Sequence, residues 1–423
     1  MNAIETILNG IELPKMFRIR QQFKSQKIED VPAKVIEGLL RAEIAASIQP
    51  NRRICLTCSS RGVDNLALVL RTVAGFCKQK GALPFIVPAM GSHGGATAEG
   101  QLEIANSYGV TEEYCGCPII SCMDTVNIGK SASGTSVFID KYAAQADGII
   151  VIGRVKPHTC FTGPFESGIM KMMAIGLGKQ YGASVCHEGG FGEMSKMIRE
   201  FGQTILANTN VLFALALVEN AYDKTCIIKA LTREEIDVLE PELLEKAKAL
   251  MPRILFDTAD VLVVDQIGKD ISGDGMDPNI VGRWTTPYKS GGISAQRVVV
   301  LDVTEKSHGN VCGAGMADIG TMRIFKKMRF EMTYPNLLTG RNAAAGFLPI
   351  FMESDRLAMQ AAVQTSIGVH LNKLRLIRIK DTLHMDEIEL SEAYMEEAAA
   401  HPQVEILNHT CYPLPFDEKG NLF

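Results

Sequence analysis

The side chains best suited to chemistry are concentrated in a glycine-rich stretch between residues 153 and 192. His158 follows Pro157 after an apolar run at 148–152, and His187 stands sixteen residues beyond Lys171. Imidazole changes its charge near neutral pH, so it can exchange protons with a ligand or bind a metal. Lys171 lies among Ile, Met and Ala residues, where burial favours the neutral, nucleophilic amine, although such a lysine can also extend to solvent. We therefore interpret this stretch as the floor of an active site.

Two further loops carry polar groups of the same kind. Arg61 follows an apolar run at 54–58, and His93 stands in a Gly-Ser-His-Gly sequence after the run at 83–89. Each residue alone also fits an ordinary structural role, Arg61 at a helix start and His93 in a turn. In open parallel sheets, however, ligands bind beyond the carboxyl ends of the strands. Because three predicted strands are each followed by such a loop, we expect Arg61, His93 and His158 to face one site.

The elements that must position these loops alternate between strands and helices. Apolar runs bounded by glycine or proline predict the strands, and apolar residues at helical spacing predict the helices between them. The alternation is typical of α/β domains with mostly parallel sheets, and the length of 423 residues corresponds to roughly two or three domains. Pro252 marks the predicted boundary between an N-terminal domain, 1–252, and a C-terminal domain, 253–423. Less regular patterns predict a strand at 115–122, a strand at 137–144 and a helix at 390–400.

Composition excludes several functional classes. The net charge of −5 provides no basic surface for nucleic acid. No apolar run approaches the ~20 residues that cross a membrane, and the N-terminus shows no signal-peptide pattern, so we expect a cytoplasmic protein. Eleven cysteines at irregular spacing argue against a disulfide framework. Cys55 and Cys58 lie within one predicted strand, where their side chains should face opposite sides.

Taken together, the order and spacing of these residues resemble the nickel-pincer lactate racemase family. The residues that carry the resemblance are Arg61, His93, His158, Ser167-Gly168 with Lys171, His187, and in the second half Gln266 and Lys269. The resemblance implies two α/β domains with the active site in the cleft between them. It also implies a nickel-pincer nucleotide as cofactor, pyridinium-3-thioamide-5-thiocarboxylate mononucleotide, whose thio groups hold the nickel.

The resemblance also implies how the cofactor is bound. Lys171 would carry the nucleotide through a covalent thioamide, with Ser167 and Gly168 beside it. His187 would be the ligand of the nickel ion. Cofactor-building proteins are then expected partners, because the nucleotide must be made before it is attached.

The remaining residues would act on the substrate. His93 and His158 would be the two catalytic acid/base residues, and Arg61, Gln266 and Lys269 would hold the carboxylate and hydroxyl of the substrate. Several departures from the family pattern concern substrate choice. Cys58 replaces an acidic residue three positions before the arginine, residues 164–166 lengthen the gap between His158 and Lys171, Gly94 stands where a basic residue is expected after His93, and an aromatic substrate contact has no counterpart.

This residue set suits the racemisation or epimerisation of a 2-hydroxy acid. The hydrogen at carbon 2 of such an acid is barely acidic, so its removal as a proton is difficult. A hydride acceptor instead removes it with the bonding electrons and oxidises the alcohol to a keto acid. The hydroxyl proton must leave with the hydride, and each enantiomer presents its hydroxyl differently, so two histidines are useful. Arg61 can hold the carboxylate through two parallel hydrogen bonds. The identity of the acid and the oligomeric state stay open.

Two other functional classes remain as alternatives. One is a different enzyme on the same scaffold, such as a hydro-lyase or a nicotinamide-dependent dehydrogenase, although no G-x-G-x-x-G follows the first strand. The other is a non-catalytic protein that binds the cofactor, which the loss of the acid at Cys58 would favour. Nickel content separates the racemase from the others.

Overall fold

A computed structural model describes residues 3–60 and 62–423. Its strands, in chain order, are β1 (Met16–Gln21), β2 (Arg53–Cys58), β3 (Leu83–Pro88), β4 (Thr125–Lys130), β5 (Ser136–Asp140), β6 (Gly148–Arg154), β7 (Val211–Glu219), β8 (Thr225–Thr232), β9 (Thr258–Ile267), β10 (Ser294–Val303), β11 (Ile319–Thr321), β12 (Ile350–Met352), β13 (Leu376–Ile379), β14 (Glu387–Ser391) and β15 (Val404–Ile406).

The α-helices lie mostly between the strands. They are α1 (Ala3–Leu8), α2 (Val31–Leu39), α3 (Ala42–Ser47), α4 (Leu66–Gln79), α5 (Ala98–Ser107), α6 (Glu112–Cys115), α7 (Lys141–Ala144), α8 (Ile169–Lys171), α9 (Lys179–Cys186), α10 (Gly190–Asn208), α11 (Arg233–Leu250), α12 (Pro278–Val281), α13 (Met322–Lys327), α14 (Phe330–Thr339), α15 (Asp355–Thr365) and α16 (Met395–Ala400).

The chain divides into two compact units, and the first comprises Ser25–Met251. We call it the five-stranded unit. Its sheet has the strand order β3-β2-β6-β7-β8, in which β3, β2, β6 and β7 are parallel and β8 is antiparallel at one edge. A separate antiparallel hairpin is formed by β4 and β5. Parallel strands joined through helices are the arrangement that the sequence pattern predicts.

Helices cover both faces of this sheet. On β6 the side chains of Ile149 and Val151 belong to one apolar core, and those of Ile150 and Ile152 belong to another. The first core includes residues of α8, α10 and α11, and the second includes residues of α2 and α4. A strand that is buried on both faces reads as a continuous apolar run, which is why the sequence identifies it.

The second unit comprises residues 3–24 together with Pro252–Phe423, and we call it the eight-stranded unit. Its sheet has the order β12-β11-β10-β9-β13-β14-β1-β15. The first five strands are parallel, whereas β14, β1 and β15 join by antiparallel pairing. The predicted α/β class with mostly parallel sheets is therefore confirmed.

The division of the chain differs from the sequence prediction at the N-terminus. Residues 1–252 were predicted to form one domain, but 3–24 pack with the C-terminal part of the chain. The physical reason is strand pairing, because β1 lies between β14 and β15, with Ile19 opposite Ile388 on one side and Ile406 on the other. β1 has only six residues, and two of them are exposed arginines, so its sequence does not indicate that it pairs with strands near the other end of the chain.

The strand predicted at 115–122 is wrong over most of its length. Residues 112–115 form α6, which begins at the capping hydroxyl of Thr111 and ends at Gly116 with a φ of 71°. A left-handed glycine at that position stops a helix and also interrupts a strand. Only Ile119 keeps a bridge, to Ile86 of β3.

Two other predicted elements change type partway along. The strand predicted at 137–144 ends at Asp140, whose carboxylate accepts the backbone N–H groups of Tyr142 and Ala143 and so begins α7. The helix predicted at 390–400 starts as the end of β14, continues as a 3-10 turn at 392–394 and becomes α-helical at Met395. In both cases a capping or pairing interaction outweighs the local pattern.

Among the described helices, none combines the length and the apolar character needed to cross a membrane.

Candidate functional site

The loops predicted to carry the chemistry leave three adjacent parallel strands of the five-stranded unit. β2 pairs with β3 on one side and with β6 on the other, so the loops after these strands emerge at the same edge of the sheet. His93 follows β3 and His158 follows β6. Arg61, in the loop after β2, lies outside the described residues. The topology thus places the predicted histidines at the carboxyl edge where α/β proteins bind ligands.

His93 is half-buried, and its imidazole contacts the loop after β2. Nδ1 shares a hydrogen bond with the hydroxyl of Ser60. A serine hydroxyl can either donate or accept, so this contact is compatible with a proton on either ring nitrogen of His93. The backbone carbonyls of Gly91 and His93 accept the side-chain amide of the buried Gln101, at 2.8 and 3.4 Å.

A buried ion pair supports the loop that carries His93. Lys179 is fully buried and adopts a φ of 53°, and its ammonium lies 3.3 Å from the carboxylate of Asp140. The same ammonium donates to the carbonyl of Pro88, at the end of β3, and to the Gln101 side chain at 3.0 Å. Three acceptors satisfy its three N–H groups, which is what a buried ammonium requires.

His158 is held through both its backbone and its ring. Its backbone N–H donates to Glu166 Oε2 at 2.7 Å, and its Nδ1 accepts the backbone N–H of Cys160 at 3.0 Å. An Nδ1 that accepts a hydrogen bond carries no proton, so the neutral ring is protonated at Nε2. The ring packs on Phe161, with the ring centres 4.3 Å apart.

Lys171 is half-buried and ends the short helix α8. A π-helical turn, Met172–Gly176, follows directly, a distortion that is frequent at functional sites. The carbonyl of Gly176 accepts the N–H of Gly91 at 3.1 Å, which connects the Lys171 segment to the His93 loop. Ser167 exchanges two backbone hydrogen bonds with Lys156 just after β6.

The N-terminus of α8 meets a buried acid, Glu240 of α11. The carboxyl group accepts the N–H of Met170 at 2.9 Å, and the N–H of Ile169 also contributes. A Cβ atom on Gly168 would lie 2.1 Å from Glu240 Oε1, so only glycine allows this approach. Burial raises the pKa of Glu240 to about 8, because desolvation outweighs the two backbone N–H groups that favour the ionised form.

His187 lies in a short 3-10 turn between α9 and α10. Its ring meets Phe191 edge-on at 5.7 Å, and the ring of His158 lies 6.1 Å from the same phenylalanine. Burial raises the pKa of the Cys186 thiol to about 12, and the positive charge of Lys171 acts in the opposite direction on the same thiol. His158, Lys171 and His187 are thus grouped around one part of the five-stranded unit.

Gln266 and Lys269 belong to the eight-stranded unit. Gln266 lies near the end of β9, opposite Asp302 of β10, and Lys269 follows in the next turn. The ammonium of Lys269 donates to the carbonyl of Gly273, and its backbone N–H donates to Ser307 Oγ at 2.7 Å. Both residues stand at the carboxyl edge of parallel strands, and their meeting with the histidines stays a prediction.

The acidic residues that hold this site, Glu166 and Glu240, are not predicted as site residues from the sequence. Glu166 enters there only as part of the lengthened gap between His158 and Lys171. One signal was available for Glu240, because it falls on the apolar stripe of α11 with Ile236, Leu243 and Leu244, all buried. A charged residue on the buried stripe of a helix requires a polar partner inside the protein.

Within residues 3–60 and 62–423, no group of three or more His, Cys, Asp or Glu side chains is arranged to hold a metal ion. All eleven cysteines are free thiols, and Cys55 and Cys58 contribute to the cores on opposite faces of the sheet, as predicted.

A comparison with protein-family models agrees with the resemblance predicted from the sequence. The family model of the lactate racemase N-terminal domain matches residues 19–196, a range that includes His93, His158, Lys171 and His187. A crystal structure of a Thermotoga maritima protein aligns with a TM-score of 0.48 at 14% identity, over 64% of this chain and 70% of that one. The lactate racemase apoprotein of Thermoanaerobacterium thermosaccharolyticum aligns with a TM-score of 0.45 at 15% identity, over 80% and 87%. Structural likenesses at this level carry no functional inference, and no curated protein matches the chain significantly.

Proposed function

We propose that this chain, a lactate racemase-like protein, racemises or epimerises a 2-hydroxy acid. The observation that supports the proposal most is the grouping of His158, Lys171 and His187 in the five-stranded unit, inside the segment that matches the lactate racemase N-terminal domain. His93 follows the neighbouring parallel strand, and the Gly91–Gly176 hydrogen bond connects its loop to the Lys171 segment.

The residues present fit a nickel-pincer nucleotide. A cofactor that holds nickel through its own thio groups needs few protein ligands, and His187 offers one imidazole nitrogen. Lys171, half-buried at the end of α8, is the candidate for the covalent bond, with Ser167 and Gly168 forming the approach to it. When bound, the cofactor would supply a reversible hydride acceptor, and the protein would supply binding and orientation.

The two histidines would handle the hydroxyl proton. His158 presents a protonated Nε2 while its Nδ1 is occupied by the Cys160 N–H, so it can donate a hydrogen bond to the substrate oxygen. His93 can accept a proton at Nε2 when its Nδ1–H donates to the Ser60 hydroxyl. We propose that Arg61, Gln266 and Lys269 bind the carboxylate and hydroxyl of the substrate. A planar keto acid must stay bound while it rotates to present its other face.

The proposal also covers the cellular location and the binding partners of the protein. Eleven free thiols suit a reducing compartment, which supports the proposal that the protein is cytoplasmic. The cofactor would come from the proteins that build it, and the substrate is a small hydroxy acid.

The first test is intact mass and metal analysis of protein that is co-expressed with cofactor-building enzymes. We expect a covalent adduct that maps to Lys171 and about one nickel per chain, as the single proposed ligand set requires. Lys171→Ala should abolish the adduct, whereas Lys196→Ala, which removes an exposed lysine of α10, should retain it. His187→Ala should keep the adduct and lose nickel. An adduct that persists in Lys171→Ala would rule out the covalent assignment.

The second test follows the hydrogen at carbon 2 of the substrate. Loaded protein is incubated with single enantiomers of 2-deuterated hydroxy acids, without nicotinamide, and the products are separated on a chiral column. We expect inverted product that retains its deuterium, because a hydride that is removed and returned never exchanges with water. Loss of deuterium to water, or formation of an alkene, would instead indicate proton abstraction or a hydro-lyase.

A further inference from the structure

Glu166 is a buried acid in the segment that lengthens the His158–Lys171 gap. Only 1% of its surface is exposed, and both carboxylate oxygens have polar partners inside the protein. Oε2 accepts the backbone N–H of His158 at 2.7 Å, and Oε1 accepts the N–H of Gly163 at 3.3 Å. The carboxylate therefore ties the two ends of the turn 158–166 to each other.

A lysine from a different element holds this carboxylate. Lys248, in the last turn of α11, lies 3.1 Å from Glu166 Oε1 and also pairs with the exposed Glu245 at 2.9 Å. The Lys248 side chain retains 29% of its exposure, so the cation reaches inward from the surface to a buried anion. A buried carboxylate with a cation and two N–H donors is satisfied, which makes its position well defined.

The position of this turn decides which ring nitrogen of His158 is available. Nδ1 accepts the N–H of Cys160 only while the backbone from His158 to Cys160 keeps its present bend. The Glu166 carboxylate holds the first residue of that bend, and Phe161 supports the ring face at 4.3 Å. If the turn relaxed, Nδ1 would be released and the proton of the neutral ring could occupy either nitrogen.

We propose that Glu166, held by Lys248, is a positioning residue that fixes His158 in the tautomer with Nε2 protonated and directs that nitrogen to the bound hydroxy acid. The assignment rests on the proposed function for the role of His158 in turnover. Its structural part, the tautomer, stands on the hydrogen bonds alone and can be measured in the absence of substrate.

The test compares three variants with wild type by ¹⁵N NMR of labelled histidine, with His158→Asn used to assign the His158 signal. The double variant Glu166→Met/Lys248→Met removes both charges together, so that no single charge is left buried and the protein is expected to fold. Glu166→Gln keeps an acceptor for the His158 N–H. Glu245→Gln removes only the exposed partner of Lys248 and serves as the control.

We expect wild type, Glu245→Gln and Glu166→Gln to show His158 protonated at Nε2, and the double methionine variant to show a mixture of tautomers. In that variant kcat for isomerisation should fall on the order of tenfold to a hundredfold, with KM and the Lys171 adduct unchanged. An unaltered His158 spectrum in the double variant would overturn the proposal, whatever its activity. A wild type that has the expected tautomer but isomerises no hydroxy acid would instead contradict the proposed function and leave the tautomer assignment supported.

Discussion

Glu240 places an ionisable group in the apolar core, against the backbone N–H groups that begin the Lys171 helix. Burial raises its pKa from 4.5 in a free side chain to about 8 in the folded protein. Between these two values the folded protein keeps a proton that the unfolded chain has lost. The stability that the neutral carboxyl contributes is therefore fully present below pH 4.5 and is lost as the pH rises through about 8.

Glu240→Gln should remove this pH dependence, because an amide does not ionise. The loss of stability that wild type shows between about pH 5 and pH 8 should shrink in the variant by a few kcal/mol, given about 1.4 kcal/mol per pKa unit. Denaturant unfolding at a series of pH values measures the effect, with the exposed Glu245→Gln of the same helix as control. Parallel curves for Glu240→Gln and wild type would show that Glu240 is ionised in the fold.

Single residues can be predicted where their type is rare and their neighbours in the sequence are distinctive. His158 and Lys171 stand beside proline, glycine and apolar residues, so the sequence identifies them as candidates. Glu166 and Glu240 act by accepting backbone N–H groups from residues 8 and 70 positions away. No local pattern encodes such a partner, although the place of Glu240 on the apolar stripe of α11 indicates that it needs one.

At the scale of elements, Lys179 connects the end of β3, the start of α5 and the end of β5. It contacts Pro88, Gln101 and Asp140, and Pro88 ends the strand that precedes His93. Because the ammonium and the Asp140 carboxylate are both fully buried, neither can be replaced alone without leaving a lone charge.

Lys179→Met should destabilise the protein by about 3–5 kcal/mol and loosen the His93 loop. The double variant Lys179→Met/Asp140→Asn should recover part of the loss, since no buried charge then lacks its partner. Thermal unfolding gives the stability, and hydrogen exchange at 91–101 reports the loop. If the single and double variants lost the same stability, the ion pair would not be the cause.

The predicted elements divide by how they are buried. β2, β3 and β6 are buried on both faces, and their apolar runs predict them within a few residues. β1 carries exposed arginines that pair with half-buried glutamates of β14, as Arg18 does with Glu387 at 2.5 Å. An alternation of charged and apolar residues with a partner some 370 positions away resembles an ordinary surface segment, so sequence reasoning passed over both strands.

At the scale of the whole molecule, the unusual feature is the crossing of the chain between units. β1 leaves the eight-stranded unit, the chain builds the five-stranded unit over Ser25–Met251, and it then returns. The Gln21 amide fixes this return by donating to the carbonyls of Met385 and Arg253 at 2.7 and 3.2 Å.

Deletion of residues 1–24 should therefore damage the distant end of the chain. Removing β1 takes out the strand between β14 and β15, so hydrogen exchange at 387–391 and 404–406 should rise sharply while β2 and β6 stay protected. Deletion of residues 1–12 spares β1 and is the matched control. Equal protection of β14 in both truncations would mean that β1 contributes little to that sheet.

The position of β1 in the chain also determines when the eight-stranded sheet can form during synthesis. During synthesis this strand leaves the ribosome long before its partner, because Met16 pairs with Ser391, which lies 375 positions further along the chain. At about 5–20 residues per second the strand stays without its neighbours for tens of seconds, while the intervening 25–251 segment can fold. The eight-stranded sheet is therefore completed only after β14 and β15 have been synthesised, and until then β1 has unpaired edges that chaperones would have to shield.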